Sequence, residues 1–515
     1  MPKADNLTWI IIISSLIRLL VAWLVELGND EVYYFTYALH LQGNYFDHPP
    51  GVGILIRLST LNLWLQSELF VRLGAIVCAA LGTFISFKIG TLIRNERTGL
   101  YAALLYNTSI YTSIIAGTFV LPDSPQVVFW LLGLWFMGKM VLGFQNEARI
   151  PLKDWIYFGV VCGCCIMCKV HGVFLWAGMG LYILLFKRKL FLQPSLYLAI
   201  FLTAIICSPI LIWNWQNDFI TWNYHSNRVD ESTFKIKNFA RTLLGQLLYN
   251  NPINVFLIFL ALFKYRKRKY LEPGVRNIIL CTGLPLIITT TLFSLFNSVL
   301  PHWSGPGFLT LTFLAAAYLD SITVVTQKAI PPILNTSLAL IFLVVVGGVG
   351  IINYYPGTLG RKNIPKYGKG DFTLDMWGWQ AFEQQFAQFL TQQKDSLNYN
   401  KLKIVSNKWF PAAHLEYYVA RPLHTEVIGI GKLTDLHHFV WLNQYRSGLQ
   451  KGHNALCIVP SNYPEDVQST YQDYFSSVKL LHTFCVTRNG KPARYYSVYL
   501  LQNYLATDEA NQLVN

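Results

Sequence analysis

The sequence is poor in charge. Only 13% of its 515 residues are Asp, Glu, Lys or Arg, about half the share found in soluble globular proteins. That excludes a disordered chain, which needs many charges and few apolar residues, and argues against one soluble enzyme of this length. Cysteine is also scarce. Nine Cys in 515 residues do not make a disulfide scaffold. Four of them, Cys162, Cys164, Cys165 and Cys168, share one apolar run, and their spacing matches no pair of CxxC metal knuckles. Small thiols in such a run pack well between membrane helices. Cys457 and Cys485 lie late in the chain, where a disulfide and two buried free thiols are both open readings. There is no Gly-rich phosphate loop and no fixed-period repeat, so nothing points to a nucleotide site or a solenoid.

Apolar length is what the chain has in abundance. Hydrophobic residues make up 53% and aromatics 15%. They come in unbroken runs such as NLTWIIIISSLIRLLVAWLVEL and ILNTSLALIFLVVVGGVGII. A run of about 20 apolar residues crosses the hydrocarbon core as a helix. The runs predict about eleven spans, near 7–27, 69–92, 98–117, 125–144, 154–170, 172–186, 192–213, 243–263, 277–297, 305–322 and 331–353. The first run lacks a small-residue cleavage site and reads as a retained span, not a signal peptide.

The net charge of +14 would suit a nucleic-acid partner, but its placement follows membrane topology. Short basic loops stay in the cytoplasm. With the N-terminus and Lys3 inside, the inner loops carry Arg94 and Arg97, Arg149 and Lys153, Lys187 to Lys189, and Lys264 with Arg266 to Lys269. The outer loops at 28–50, 118–124 and 298–304 contain no Lys or Arg. One outer loop, 214–242, breaks the rule with Arg228, Lys235, Lys237 and Arg241. That exception makes it a candidate functional loop.

An odd number of spans sends the rest of the chain outside. From about 360 the composition changes to short strand-like and amphipathic segments. LKIVSN, TEVIGIG, ALCIVP and YYSVYLLQ read as strands; GWQAFEQQFAQFLTQQ, PAAHLEYYVA and PEDVQSTYQDYF read as helices. The expected architecture is a polytopic α-helical membrane domain, 1–355, followed by a small external α/β domain, 356–515.

Polar residues outside the spans collect on the external side. Asp30 and Glu31 follow the first span directly, in NDEVYYFTYALHLQGNYFDHPPG. They read either as a solvated helix end or as acids on an aromatic helix lying at the membrane interface. Asp47 and His48 precede two prolines that turn the chain back to the bilayer. Asp123, in LPDSP, reads as a helix cap, a site residue, or both. Lys169 and His171, in CKVHG, sit between two spans, where a charge is either functional or snorkels to the interface. His302 and Trp303 end the set, in LPHWSGPG. Cations at Lys169, Arg228 and Arg241 suit a phosphate. The carboxylates suit a general base or a metal.

This constellation resembles a known pattern. DEVYYFTYALHLQGNYFDHPP, followed by LPDSP, CKVHG and LPHWSGPG, is similar to the C-type (GT-C) glycosyltransferases. Within them it resembles bacterial members of the dolichyl-phosphate-mannose–protein mannosyltransferase group, and among those the aminoarabinose transferases that modify lipid A. The resemblance covers roughly residues 7–350 and is loose over 214–242; the external domain matches in placement only. It implies a sugar carried on a polyprenyl phosphate and transferred outside the membrane with inversion. It implies that Asp30 activates or orients the acceptor, with Glu31 beside it, and that Asp123 is the second-loop carboxylate. Lys169 would face the lipid phosphate with Arg228 and Arg241, while Asp47, His48, His171, His302 and Trp303 contact substrate. No cofactor is expected with certainty. Some relatives hold a divalent metal, for which Glu31, His48 and His302 are available, but no metal spacing is present. The implied partners are the lipid-linked donor, a lipid, glycan or protein acceptor, and the bilayer of an inner (plasma) membrane, with no nucleic acid. The rival function is a transporter or flippase of a lipid-linked glycan, which should carry charges at mid-span and two related halves; these spans are nearly free of central charges, and no halves are visible.

Overall fold

The computed structural model describes residues 4–143, 150–227, 234–326, 331–393 and 402–506. Each segment expected to span the membrane lies on helix. Six described helices are long and apolar enough to cross a membrane alone: Asn6–Leu24, Glu68–Ile93, Asp123–Gly143, Pro194–Gln216, Pro273–Phe293 and Pro332–Tyr354. Leu152–Cys168, Val173–Phe186 and Gly305–Thr326 account for three more of the expected spans. This is a multi-pass membrane protein. The buried charges on these helices sit within about two turns of an end. Asp320 is an example, held by Arg94 at 2.5 Å and by Arg97.

Two spans depart from expectation. The segment 243–263, read as one span, is two helices, Ile236–Tyr249 and Pro252–Lys264, meeting at 94°. Asn251 takes a left-handed φ of 62°, which Asn tolerates better than most residues. Its side chain accepts from Ile253 N at 3.0 Å and donates to Thr108 O at 2.9 Å. Pro252 then opens the second helix, where a missing N–H costs nothing. The segment 98–117 is the helix Glu96–Thr108 followed by a widened π-turn, Tyr111–Ile115. There the Thr112 and Ser113 hydroxyls take the carbonyls of Tyr106 and Asn107, which frees the chain to turn.

The described chain divides into two compact units. One is Met1–Ala22 with Leu41–Val345; the other is Trp23–His40 with Val346–Asn515. The second unit contains a five-stranded sheet. β1 (Lys403–Ser406), β2 (Val427–Gly429), β3 (Ala455–Pro460), β4 (Phe475–Arg488) and β5 (Lys491–Tyr504) run in the order β2-β1-β3-β5-β4. β1 is parallel to both β2 and β3, and β5 is antiparallel to β3 and β4. The helix expected over PEDVQSTYQDYF shrinks to Val467–Tyr471, and the unexpected strand β4 starts at Phe475. Asn489 and Gly490, at φ of 46° and 74°, form the tight turn into β5. Cys457 on β3 and Cys485 on β4 are free thiols with β5 between them, about two ladder spacings apart and beyond disulfide reach.

The helix Asn29–Leu39 belongs to this second unit. It does not lie open at a membrane interface, because every residue from Glu31 to Ala38 is buried. Tyr33 meets Trp409 at 5.0 Å, Phe35 meets Tyr417 at 4.8 Å and Tyr37 meets His438 at 5.0 Å between ring centroids. Glu26 accepts from Trp379 N and Gln380 N at 2.8 and 3.1 Å, placing a carboxylate at the start of the helix Trp379–Gln392, where its dipole favours negative charge.

Candidate functional site

In the first unit the polar residues converge. Lys169 Nζ lies 2.7 Å from Asp123 Oδ2, with both side chains at 4% exposure or less. The Tyr111 hydroxyl donates to Asp123 Oδ1 at 3.0 Å. Both carboxylate oxygens are therefore engaged, and Lys169 does not snorkel. Asp123 opens the helix Asp123–Gly143, but the side chain that closes its first turn is Ser124, which accepts from Leu121 N at 3.2 Å. Gln126 Nε2 donates to Lys169 O at 3.1 Å and so anchors the turn that presents the lysine.

Two glycines let this cluster form. A Cβ on Gly51 would lie 2.7 Å from Cys168 Cα. The helix that follows Asp47-His48-Pro49-Pro50 can therefore abut the residue just before Lys169 only without a side chain there. A Cβ on Gly305 would lie 2.5 Å from three Tyr111 ring atoms, so the Gly of LPHWSGPG makes room for the tyrosine that holds Asp123.

The histidines gather around the pair. Burial pushes His302 down to about 4, with Lys169 and His48 acting in the same direction and Asp123 opposing them. A neutral imidazole is thus maintained beside the ion pair. His171 packs against Trp303 at 5.5 Å between centroids. Asp47 is half-buried in a turn closed by Tyr45 N donating to His48 O at 3.1 Å. Arg241 is exposed on Ile236–Tyr249. Arg228 lies outside the described residues.

The first-loop acids lie in the second unit. Asp30 is exposed in the first turn of Asn29–Leu39, and Glu31 is buried. Glu31 Oε2 accepts from Gly28 N at 2.9 Å, an N-terminal closure that gives it a structural duty. Among the described residues no three His, Cys, Asp or Glu side chains group to hold a metal ion. Tyr111 is the member that sequence reasoning missed. Its signal was the string NTSIYTS, where polar residues on both sides of the aromatic ring interrupt the apolar run.

These arrangements can be set beside known proteins. Residues 47–213 match the family model described as dolichyl-phosphate-mannose-protein mannosyltransferase. That interval contains Asp47, His48, Asp123, Lys169 and His171. The structure of ArnT from Cupriavidus metallidurans bound to undecaprenyl phosphate superposes with a TM-score of 0.65 at 12% identity, covering 96% of this chain and 98% of that one. The chain has the fold of a GT-C membrane glycosyltransferase. The apo form of the same ArnT gives a TM-score of 0.61 at 13% identity, covering 96% and 97%. No curated protein sequence matches the chain significantly. The agreement over nearly the whole length of both chains extends the likeness in fold to the C-terminal sheet, where no motif was legible.

Proposed function

We propose that this protein transfers a sugar from a polyprenyl-phosphate donor to an acceptor on the external face of an inner (plasma) membrane, with inversion at the anomeric carbon. The observation that carries this reading is the buried Asp123–Lys169 pair, braced by Tyr111 and ringed by His48, His171 and His302. A buried cation at a turn between two membrane helices suits a phosphate that arrives from the bilayer. The GT-C fold and the family match over 47–213 support the same reaction class.

The reaction is one in-line displacement. An acceptor oxygen attacks the anomeric carbon as the bond from that carbon to the phosphate oxygen breaks, and the bonding pair leaves on the lipid phosphate. The phosphate gains negative charge as it departs, so a cation facing it stabilises the transition state more than the ground state. Lys169 is assigned that duty, with Arg241 and Arg228 as further phosphate contacts. Asp123 holds the ammonium in place, and Tyr111 holds Asp123. Asp30 is assigned to the acceptor: it takes the proton of an attacking hydroxyl, or orients the nucleophile where no proton is lost. Glu31 keeps the helix start that presents Asp30. Asp47, His48, His171, His302 and Trp303 are assigned to substrate contacts.

The deciding experiment is Asp30→Asn, assayed for transfer from a polyprenyl-phosphate sugar. Removing the basicity of a proton acceptor should lower turnover by about 10²–10⁴-fold, with little loss of folded protein. Near-normal transfer by the variant would return Asp30 to a solvated helix end.

A further inference from the structure

The second unit holds a cavity of about 470 Å³ that the reaction above does not use. It opens at the carboxyl ends of two adjacent parallel strands. Asn407 and Lys408 follow β1 directly, and Asn462 to Glu465 follow β3. In the order β2-β1-β3 the neighbours of β1 lie on opposite sides, so the gap between β1 and β3 is a topological switch point. Open α/β sheets bind their ligands there, outside the strand ends.

The lining states what it needs. Asn462 is 4% exposed, and its Oδ1 has no hydrogen-bond partner; the same holds for Asn407 Oδ1 and Glu465 Oε1. A buried acceptor left unmet is costly, and the three residues that carry these acceptors line one cavity, within reach of a ligand rich in donors after a small side-chain rotation. Asp375 accepts from the Tyr463 hydroxyl at 2.9 Å. Burial raises the carboxyls of Asp375 and Glu465 above the usual range, which suits them to hydroxyl partners. Apolar surface comes from Phe410 and Tyr463, whose rings meet edge to face at 4.3 Å, and from Phe372, 66% exposed at the rim. Lys369 and Lys408 also line the cavity and disfavour a cation. The turn after β1, Asn407-Lys408-Trp409, has no glycine, so a nucleotide-type phosphate cradle is not built.

We propose that this cavity is a saccharide-binding site, taking a neutral or acidic sugar residue of a glycan between the amide and carboxyl acceptors and the aromatic faces. A sugar supplies hydroxyl donors on its edges and a C–H face for the rings, which is the combination the lining lacks. The cavity reaches the start of the Asn29–Leu39 helix, where Asn29 Nδ2 lies 3.5 Å from the Tyr463 hydroxyl; saccharide binding is measured without transfer, so its outcome is independent of the assignment of Asp30.

The test is calorimetric titration of the full-length protein in lipid nanodiscs with cellobiose, with a glucuronate–N-acetylglucosamine disaccharide, and with glucosamine. Saturable binding of at least one disaccharide at millimolar concentration or below is expected, with glucosamine weaker. Asn462→Ala and Asn407→Ala should each raise the Kd at least tenfold. Asn407 is the less buried of the two, so Asn407→Ala decides the matter if Asn462→Ala does not fold. No saturable binding of either disaccharide to the wild type overturns the proposal. Unchanged affinity in Asn407→Ala, or glucosamine binding as tightly as the disaccharides, overturns it equally.

Discussion

Asp123 and Lys169 are each almost wholly buried, and neither charge is tolerable without the other. Removing one partner of a buried pair costs about 3–5 kcal/mol, whereas replacing both with neutral groups of similar volume is often neutral. Lys169→Met should therefore lower the melting temperature, and adding Asp123→Asn should recover most of the loss. If the pair also serves the reaction, the recovered double variant transfers no sugar; a stable and active double variant would reduce the pair to scaffolding. His414 gives a second prediction. It is buried in the second unit, stacked on Trp379 at 4.3 Å, with Nε2 donating to Leu27 O and Asp375 O at 3.1 and 2.9 Å. Burial, with Arg494 acting in the same direction, lowers His414 to about 3 from 6.5. As pH falls below 6.5 the unfolded chain takes up the proton first, so stability declines from pH 6.5 down to about 3. Melting temperatures across that window should fall for the wild type, and His414→Phe should flatten the slope.

At the scale of elements, the site depends on close approach between a helix start and a turn. Gly51→Ala places a methyl 2.7 Å from a backbone carbon of Cys168, which cannot swing aside as a side chain would. Overpacking of this kind costs about 1–3 kcal/mol, and the displaced turn carries Lys169. Thermal melting should report the loss, and transfer should fall further than stability alone accounts for. Gly305→Ala should act through Tyr111, whose ring would have to leave the inserted methyl and with it Asp123. A lower melting temperature with a loss of transfer beyond what stability accounts for is the expected result, and full activity would show that Tyr111 is dispensable. The strands were legible where they are buried, as in ALCIVP and KIVS. β4 was not, because most of its residues are half-buried or exposed at the sheet edge and no apolar run marks it. Its readable sign was Asn489-Gly490, a strong tight-turn signal.

For the whole molecule, the charge asymmetry carries a topology prediction. Loops 93–97, 145–153, 187–190 and 264–274 should be protected in the cytoplasm, and residues 360–515 should be reachable from outside. Reporter fusions in loop 264–274 and within the sheet domain test this, and a cytoplasmic sheet domain would remove both the topology and the proposed reaction. Chain order is a poor guide to the units. Trp23–His40 leaves the first helix only to join Val346–Asn515, because a helix of tyrosines and phenylalanine needs an aromatic core, and Trp409, Tyr417 and His438 supply one.

By itself the sequence determined the membrane character, the helix positions and the residue types of the site. Those follow from local composition: an apolar run of span length must be helical in lipid, and basic loops sort to one side. Only the tertiary structure decided which polar groups meet. Asp123, Lys169 and Tyr111 are brought together by glycine-mediated contacts between distant segments, the 94° bend is held by Asn251 reaching Thr108, and the β1/β3 cavity exists only once the strands are ordered. Such partners are set by packing across long sequence separations, and no local periodicity encodes them.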